Sequence, residues 1–481
     1  MAGTNVMPSP YQYLALEPNR MKYRYNWNAP VIWSQHEVNT YYHAAQVLLR
    51  TKNNGHIWEE VSPDLTKNEK SKQGKGGGPY TNEIVGAENF GSISYVSESP
   101  HEKGTIWVGS DDGLVYLTKD GCKTWKNVTP SFLSECLINA IEISPHDPAT
   151  AYIATTRYKF NDHSPGLYKT NDYGKTWTAI NQGIPGYAFT RVVREDPNKK
   201  DLLFAGSELG LFISWNGGIK WHSFQLNLPI TPITDLKFHK GNLIAATSGR
   251  SIWILDDIFL FHQYSQNVNE VKIFRPPSTF LVSGSSELDG NTKNFKGSHY
   301  SRGVNPATGM VLYYFIPDSL KEHISIEIID EKGRAVRKFT SLKDSLFLSY
   351  DGGPPAEPVL HKNKGLNRFV WNLRHNTFPG VANTYIEGSY KGHKAIPGKY
   401  TVILTTEKGI SKSFAEILPN PGYPTTTEEY IRFDEIMSEL EKKMTTMFLT
   451  INELFTKQKQ LSEIISRLPM DKPYDLSLIH I

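Results

Sequence analysis

Cysteine is almost missing from this chain: Cys122 and Cys136 are the only two in 481 residues. That excludes a disulfide framework and a cysteine-based zinc site, and leaves open a single bridge or two free thiols. An excess of one charge is missing too. Fifty-two basic side chains stand against 49 acidic ones, so no global field draws nucleic acid or a membrane surface to the protein. No apolar run reaches the length that spans a bilayer, and the N-terminus MAGTNVMPSPYQ has neither the basic nor the apolar segment of a signal peptide. The Walker phosphate pattern is absent, as is any motif for serine, cysteine or metal-dependent hydrolysis, so no cofactor and no metal is expected.

What the chain has in quantity is turn residues and aromatics, with 37 Gly, 29 Pro and 12% Phe, Trp and Tyr. This suits many short strands joined by tight turns, and the length suits two or three units. Within it one octapeptide recurs: TKDGCKTW from Thr118 to Trp125, and TNDYGKTW from Thr170 to Trp177. This is the Asp-box pattern. Asp120 and Asp172 can accept hydrogen bonds from the N–H groups of their own turn, Thr118, Thr124, Thr170 and Thr176 can add hydroxyl bonds, and Gly174 supplies a backbone shape that a side chain disfavours. Trp125 and Trp177 then open the next strand with a large ring that can lock against a neighbouring layer.

Two weaker copies, TKNNGHIW (Thr51 to Trp58) and SWNGGIKW (Ser214 to Trp221), replace the acid by Asn53 and Asn216. Asn keeps the acceptor oxygen and discards the charge. A turn fastener tolerates that exchange and a catalytic carboxylate does not, so the boxes read as structural.

Aligned on the boxes, residues 138–180 read as strand, turn, strand, turn, strand, box hairpin, strand, and related units begin near Val31, Ile93, Thr190 and, with its box lost, Ile233. Four short antiparallel strands per repeat, each repeat needing neighbours to bury its faces, predict blades of a β-propeller over residues 1–262, with at least five blades visible and Tyr23, Tyr25 and Trp27 available for part of another. Residues 263–309 read as an irregular linker. Alternation returns at Val311–Pro317, Ile324–Asp330, Asn367–Leu373, Gly398–Thr406 and Ser411–Leu418, which predicts an immunoglobulin- or fibronectin-like β-sandwich over 310–420. Thr425–Thr427 before Glu428 and Glu429 offers a capping box for an amphipathic helix over 424–470, striped by Ile436, Leu440, Met444, Met447, Ile451, Leu454, Leu461, Ile465 and Leu468. Such a stripe expects a second helix to cover it. The final LSLIHI, residues 476–481, looks like the translation of a transposon end used in preparing sequencing libraries, so the chain is expected to be a fragment and these residues are set aside.

The stretches RYNWNAPVIWS, WEEVSPDLT, GTIWVGSDDGLVYLTKDG, SPHDPATAYIA, RVVREDP, GSELGLFIS, NLPITPITDL, GRSIWILDD, GLNRFVWNLR and IPGKYTV, spanning about residues 23 to 405, resemble bacterial sortilin-like BNR (Asp-box) repeat proteins, often labelled glycosyl hydrolases. The resemblance implies a secreted or cell-envelope location and a longer chain with a further propeller upstream. The chain departs from the pattern at Ser248, where a His precedes the Gly-Arg of the final blade in the family, and at Cys122, which takes the place of a glycine.

Strand parity then sorts the two faces of a blade. Box turns share a face with the turns between strands one and two; the turns between strands two and three, and the crossings between blades, lie on the other face. Loops there supply the candidates: Asp111, Asp112, Asp162 and Glu208 as acids, and His43, Tyr158, His163, Tyr187 and Arg250 as ligand contacts. Each also has a plain structural reading, since Asp111-Asp112-Gly113 is a good turn and Arg250 can pair with Asp256 or Asp257. Two functions follow: a protein that binds peptide or glycan on that face, or a glycoside hydrolase using two of those carboxylates. A sialidase is disfavoured, because its arginine cluster and Tyr-Glu pair cannot be assembled.

Overall fold

Short β-branched and aromatic runs, each closed by a Gly, Asn or Asp turn, become antiparallel meanders in the computed structural model, which describes residues 5–8, 16–74, 88–264, 270–290, 304–345, 347, 349–381, 384–385 and 388–467. Leu468 of the helical stripe, residues 476–481 and part of the 63–90 crossing lie outside the described residues. The chain divides into two compact units, Met1–Ile258 and Phe259–Ile481.

The first unit holds five consecutive sheets. Sheet one is β1 (Val31–Trp33), β2 (Tyr41–Ala44), β3 (Leu48–Thr51) and β4 (Glu59–Glu60); sheet two is β5 (Ile93–Glu98), β6 (Ile106–Ser110), β7 (Val115–Thr118) and β8 (Lys126–Asn127). Sheet three is β9 (Leu137–Ile143), β10 (Ala151–Arg157), β11 (Asp162–Thr170) and β12 (Thr178–Ala179), and sheet four is β13 (Thr190–Glu195), β14 (Leu203–Ser207), β15 (Gly210–Ser214) and β16 (His222–Ser223). The repeat that lost its box gives a three-stranded fifth sheet, β17 (Ile233–His239), β18 (Asn242–Thr247) and β19 (Ile252–Leu255).

No sheet makes a core alone. One apolar cluster joins Trp107, Val115 and Val128 of sheet two to Ile138, Ile141 and Ile153 of sheet three, and another joins Tyr42 and Leu48 of sheet one to Ile93 and Val108 of sheet two. Central strands such as β14 and β15 are buried along their whole length, which is why they read as continuous apolar runs rather than alternating ones. The first strands of sheets two to five meet at one guanidinium: Arg194 on β13 reaches Asp235 on β17 at 2.7 Å, Glu142 on β9 at 3.4 Å and the Tyr95 hydroxyl on β5 at 2.9 Å.

Neighbouring sheets are also tied by one repeated polar contact. The turn after the first strand of sheets one, two and three places a ring nitrogen of His36, His101 and His146 at 2.7–2.9 Å from the carbonyl of Ser99, Ser144 and Asp196, the matching position of the next sheet.

Residues Tyr23 to Trp27 do not form a strand. The Gln46 side chain takes their backbone partners instead, accepting from Arg24 N and donating to Lys22 O, while Tyr23 and Tyr25 pack on Ala45, Val47 and Leu49.

In the second unit a short helix α1 (Phe259–Gln263) precedes eight strands: β20 (Lys272–Ile273), β21 (Thr279–Phe280), β22 (Met310–Ile316), β23 (Ser325–Asp330), β24 (Ala335–Thr340), β25 (Gly365–Trp371), β26 (Gly398–Thr406) and β27 (Gly409–Leu418). They form two sheets, ordered β20-β22-β25 and β21-β27-β26-β23-β24, around one core containing Leu312, Tyr314, Ile326, Phe369, Trp371 and Val402. The stretch read as an irregular linker thus supplies an edge strand to each sheet, β21 pairing parallel to β27. Two-residue strands leave no period to detect.

The expected helix is α2, Thr427–Ser466, and its capping box closes in both directions between Thr426 and Glu429. Its apolar stripe is largely exposed at Ile436, Leu440, Met447, Leu454, Leu461 and Ile465, while Phe448, with Met444 and Ile451, packs on Phe378, Val381 and Tyr390. Among the described residues no helix is long and apolar enough to cross a membrane.

Candidate functional site

The Asp boxes close on themselves. Asp172 Oδ1 accepts from Thr176 N at 2.9 Å and Thr170 Oγ1 at 2.8 Å, its Oδ2 accepts from Thr176 Oγ1 at 2.6 Å, and Asp120 does the same with Thr124 and Thr118. Those bonds, the threonine hydroxyl first, hold both carboxyls down to about 2. Asn53 and Asn216 reproduce the Oδ1 bonds to Ile57 N and Lys220 N at 2.9 and 3.0 Å without a charge. In each box the fourth and fifth residues both have positive φ, including Tyr173 at 59° and Cys122 at 74°. Gly174 is additionally required by space, since a Cβ there would stand 2.7 Å from Val128. Each box tryptophan donates its indole N–H to the residue that closes the preceding sheet: Trp125 to Val61 O, Trp177 to Val128 O and Trp221 to Ile180 O, with Trp58 bonding Val6 O in the same way.

On the opposite rim the crossings and the turns between second and third strands meet. Asp111 is half-buried and accepts from Gly91 N, Ser92 N and Ser92 Oγ at 2.9–3.2 Å. Burial, then the neighbouring Asp112, pushes its carboxyl up to about 7 against those donors. Asp112, also raised by burial, accepts from Ser110 Oγ and from Lys67 N at 2.7 Å. Both carboxylates hold the long β4–β5 crossing in place.

From Lys67 a chain of polar contacts runs along the rim. Lys67 and Lys72 reach Glu135 at 3.3 and 2.7 Å, Arg157 donates to Glu135 O at 3.2 Å, and Arg157 pairs with Asp162 at 3.3 Å. Burial raises the Glu135 carboxyl, but the two ammonium groups outweigh it and leave the group below its ordinary value. Asp162 is lowered chiefly by the Ser164 N–H, then the Ser164 hydroxyl. Next along, Phe189 lies between Tyr158, stacked at 5.4 Å, and His163 at 5.8 Å, with the Arg191 guanidinium 5.2 Å from its centroid and Glu208 bound to Arg191 at 2.8 Å. Tyr187, two residues before Phe189, is 70% exposed, and Tyr158, Phe160 and Phe132 are exposed as well.

The structure thus brings Tyr158, His163 and Glu208 around one ring and places Asp162 on the adjoining arginine. His43 sits elsewhere: its ring stacks on Tyr25 at 5.0 Å, lies 6.0 Å from the box ring Trp58 and is bonded to Pro30 O. Arg250 is exposed and forms no ion pair among the described residues; its carbonyl accepts from Trp253 Nε1. Cys122 and Cys136 are free thiols, pushed by burial up to about 11 and about 12, which makes them poor nucleophiles. Phe189, Arg191, Arg157 and Glu135 were not legible as site residues, because each sits at the end of a strand or crossing and gains meaning only from its neighbour across two sheets.

No family model matches the sequence. Over 172 residues, 32% of this chain and 20% of the relative, the sequence is 26% identical to the xyloglucanase Xgh74A of Acetivibrio thermocellus. The chain therefore spans about a fifth of the length of that curated relative. Among solved structures, the GH74 xyloglucanase from Xanthomonas campestris is matched at 12% identity and TM-score 0.36 over 82% of this chain and 65% of that one. The GH74 enzyme of Niastella koreensis is matched at 14% identity and TM-score 0.35 over 79% and 56%. A structure of YCF48 bound to D1 peptide is matched at 14% identity and TM-score 0.31 over 46% and 62%. The chain is similar, along 32% of its length, to a xyloglucanase, and is itself a mainly β protein of many antiparallel sheets.

Proposed function

We propose that the first unit is a sortilin-like propeller module of an extracytoplasmic protein and that its rim opposite the Asp boxes binds a glycan chain without cleaving it. The observation that carries this reading is the division of labour on the rim. Asp111, Asp112, Asp162 and Glu208 are all engaged by N–H, hydroxyl or guanidinium donors, while Tyr158, Phe160 and Tyr187 stand exposed beside them. Aromatic faces stack on the apolar face of a sugar ring, and the flanking Arg157, Arg191 and Glu208 offer hydrogen bonds to its hydroxyls. The xyloglucanase relative supports a glycan rather than a peptide.

Titration calorimetry with xyloglucan oligosaccharides tests the assignment. Tyr187→Ala and Tyr158→Ala should each weaken binding roughly 3- to 10-fold, the worth of one aromatic stacking contact. Equal affinity in both variants would remove the rim from consideration, and binding of extended peptides alone would replace the glycan by a peptide.

The same relative favours a second reading, hydrolysis by paired carboxylates, with Asp162 and Glu208 from neighbouring sheets as the pair. In that case the chain releases reducing ends from the polysaccharide, and Glu208→Gln or Asp162→Asn abolishes the release while oligosaccharide binding survives.

A further inference from the structure

Helix α2 buries only two side chains, Phe448 and Asp434. A phenylalanine needs no explanation there. A carboxylate does, because an ion withdrawn from water costs several kcal/mol unless its oxygens are met by charged partners.

Asp434 is met from three sides. Arg334 donates to Oδ2 at 2.9 Å, and two imidazoles converge on Oδ1, His393 Nε2 at 3.1 Å and His375 Nε2 at 3.7 Å. The fold sets up this convergence. An isolated antiparallel bridge pairs Arg374 with Lys394, so His375 and His393 lie opposite each other, His375 N donates to His393 O, and the two rings stack with centroids 3.9 Å apart and 18° between their planes. Both Nε2 atoms are thereby presented to one carboxylate oxygen. Two turns further along α2, Glu441 brings Oε1 to 2.7 Å from Nδ1 of His393, at an angle short of a straight hydrogen bond, while accepting the His393 backbone N–H. The His393 side chain is 1% exposed.

We propose that His375, His393 and Asp434 bind a divalent transition-metal ion of the zinc class, which pins α2 to the β-sandwich. The three donor atoms lie within 4.8 Å of one another. Ligand atoms of a tetrahedral zinc site at bond lengths of ~2.1 Å are spaced about 3.4 Å apart, and the two separations from Asp434 Oδ1, 3.1 and 3.7 Å, bracket that value. Two imidazoles and one carboxylate suit zinc better than calcium or magnesium, which require more oxygens. Glu441 stands where a second carboxylate orients a metal-bound histidine through its other nitrogen. A cation bound there splays the two near-parallel rings until both Nε2 lone pairs meet it, and satisfies three atoms that otherwise compete for one proton. With three protein ligands a fourth position is left for water or a ligand.

The site owes nothing to the glycan reading and is tested separately. The whole chain, stripped with EDTA and dialysed, is titrated with Zn²⁺ by calorimetry, its bound zinc measured by atomic absorption, and its melting followed with and without the ion. One zinc per chain is expected, with a rise in melting temperature. His375→Ala removes the most accessible ligand and should lose the stoichiometric zinc and the rise, while its circular dichroism in EDTA matches the parent. Glu441→Gln should keep the stoichiometry with affinity weakened about 10- to 100-fold. Failure of the parent chain to take up zinc, or uptake by His375→Ala equal to the parent's, overturns the proposal and leaves an imidazolium held between two carboxylates.

Discussion

Trp221 offers the sharpest measure of what joins one sheet to the next. Its indole is 1% exposed, its Nε1–H donates to Ile180 O at 2.6 Å, and its backbone N–H donates to Gln182 O at 2.8 Å, all across the boundary between sheets three and four. Gly183 lies so close that a Cβ there would come within 2.2 Å of Trp221 O. Burying a ring of this size removes ~150–250 Å² from water, about 4–6 kcal/mol in transfer terms, and truncations of such residues cost about 3–5 kcal/mol. Trp221→Phe keeps most of the ring and deletes the donor, so it isolates the hydrogen bond and the stranded carbonyl, about 1–2 kcal/mol. For a unit of this size 1 kcal/mol moves Tm by roughly 2–4 °C. Thermal melts of the full chain should therefore fall roughly 2–8 °C for Trp221→Phe and clearly further for Trp221→Ala. Trp33→Phe, at a ring left 72% exposed, serves as control. If Trp221→Phe melts with the control, the indole clasp does not hold the sheets together and their cohesion is packing alone.

Within the boxes, Asp172→Asn should melt nearly as the parent, because Asn keeps the Oδ1 acceptor as Asn53 and Asn216 do, whereas Asp172→Ala should melt lower; equal losses would show that charge matters there. Arg194→Met strands Glu142 and should cost about 3–5 kcal/mol in a urea titration, while the double variant with Glu142→Leu should recover part of it. Stability should depend on pH through Asp111 and Glu142, both raised by burial to about 7 in the folded chain from ordinary values of 3.8 and 4.5. Between those limits the folded state holds more protons than the unfolded one, so this contribution is present at low pH and is lost as pH climbs toward 7, and Asp111→Asn should flatten the slope of Tm against pH. Phe448→Ala should release α2 to limited proteolysis between residues 427 and 466 while the sheets stay protected, since Phe448 is the helix's only fully buried apolar side chain.

How much of this was legible beforehand follows from range. The boxes, the α2 capping box and the strands over Gly398–Thr406 and Gly409–Leu418 depend on residues a few positions apart, and turn chemistry and period two expose them directly. Strand β24 went unread because AVRKFT carries no clean alternation, and β20 and β21 because two residues have no period. The rim was legible only in part. Parity placed Tyr158, Asp162, His163 and Glu208 on one face, but their partners Phe189, Arg157 and Arg191 come from other strands and crossings. His375, His393 and Asp434 fall outside any ligand spacing, since 18 and 41 residues separate them in sequence.

By itself, then, the sequence determined the local units: which octapeptides fold back on themselves, which runs are strands, where α2 begins, and that the box carboxylates serve turns. Those outcomes are set by φ preferences, side-chain-to-backbone bonds and periodicity within about ten residues. Only the tertiary structure decided what the long-range groups do. It made Asp111 and Asp112 the anchors of a crossing, gave Arg157 and Arg191 to the acids nominated for chemistry, and drew two histidines and a helix aspartate together. A carboxylate's role depends on which donor reaches it first, and that donor is supplied by another part of the chain.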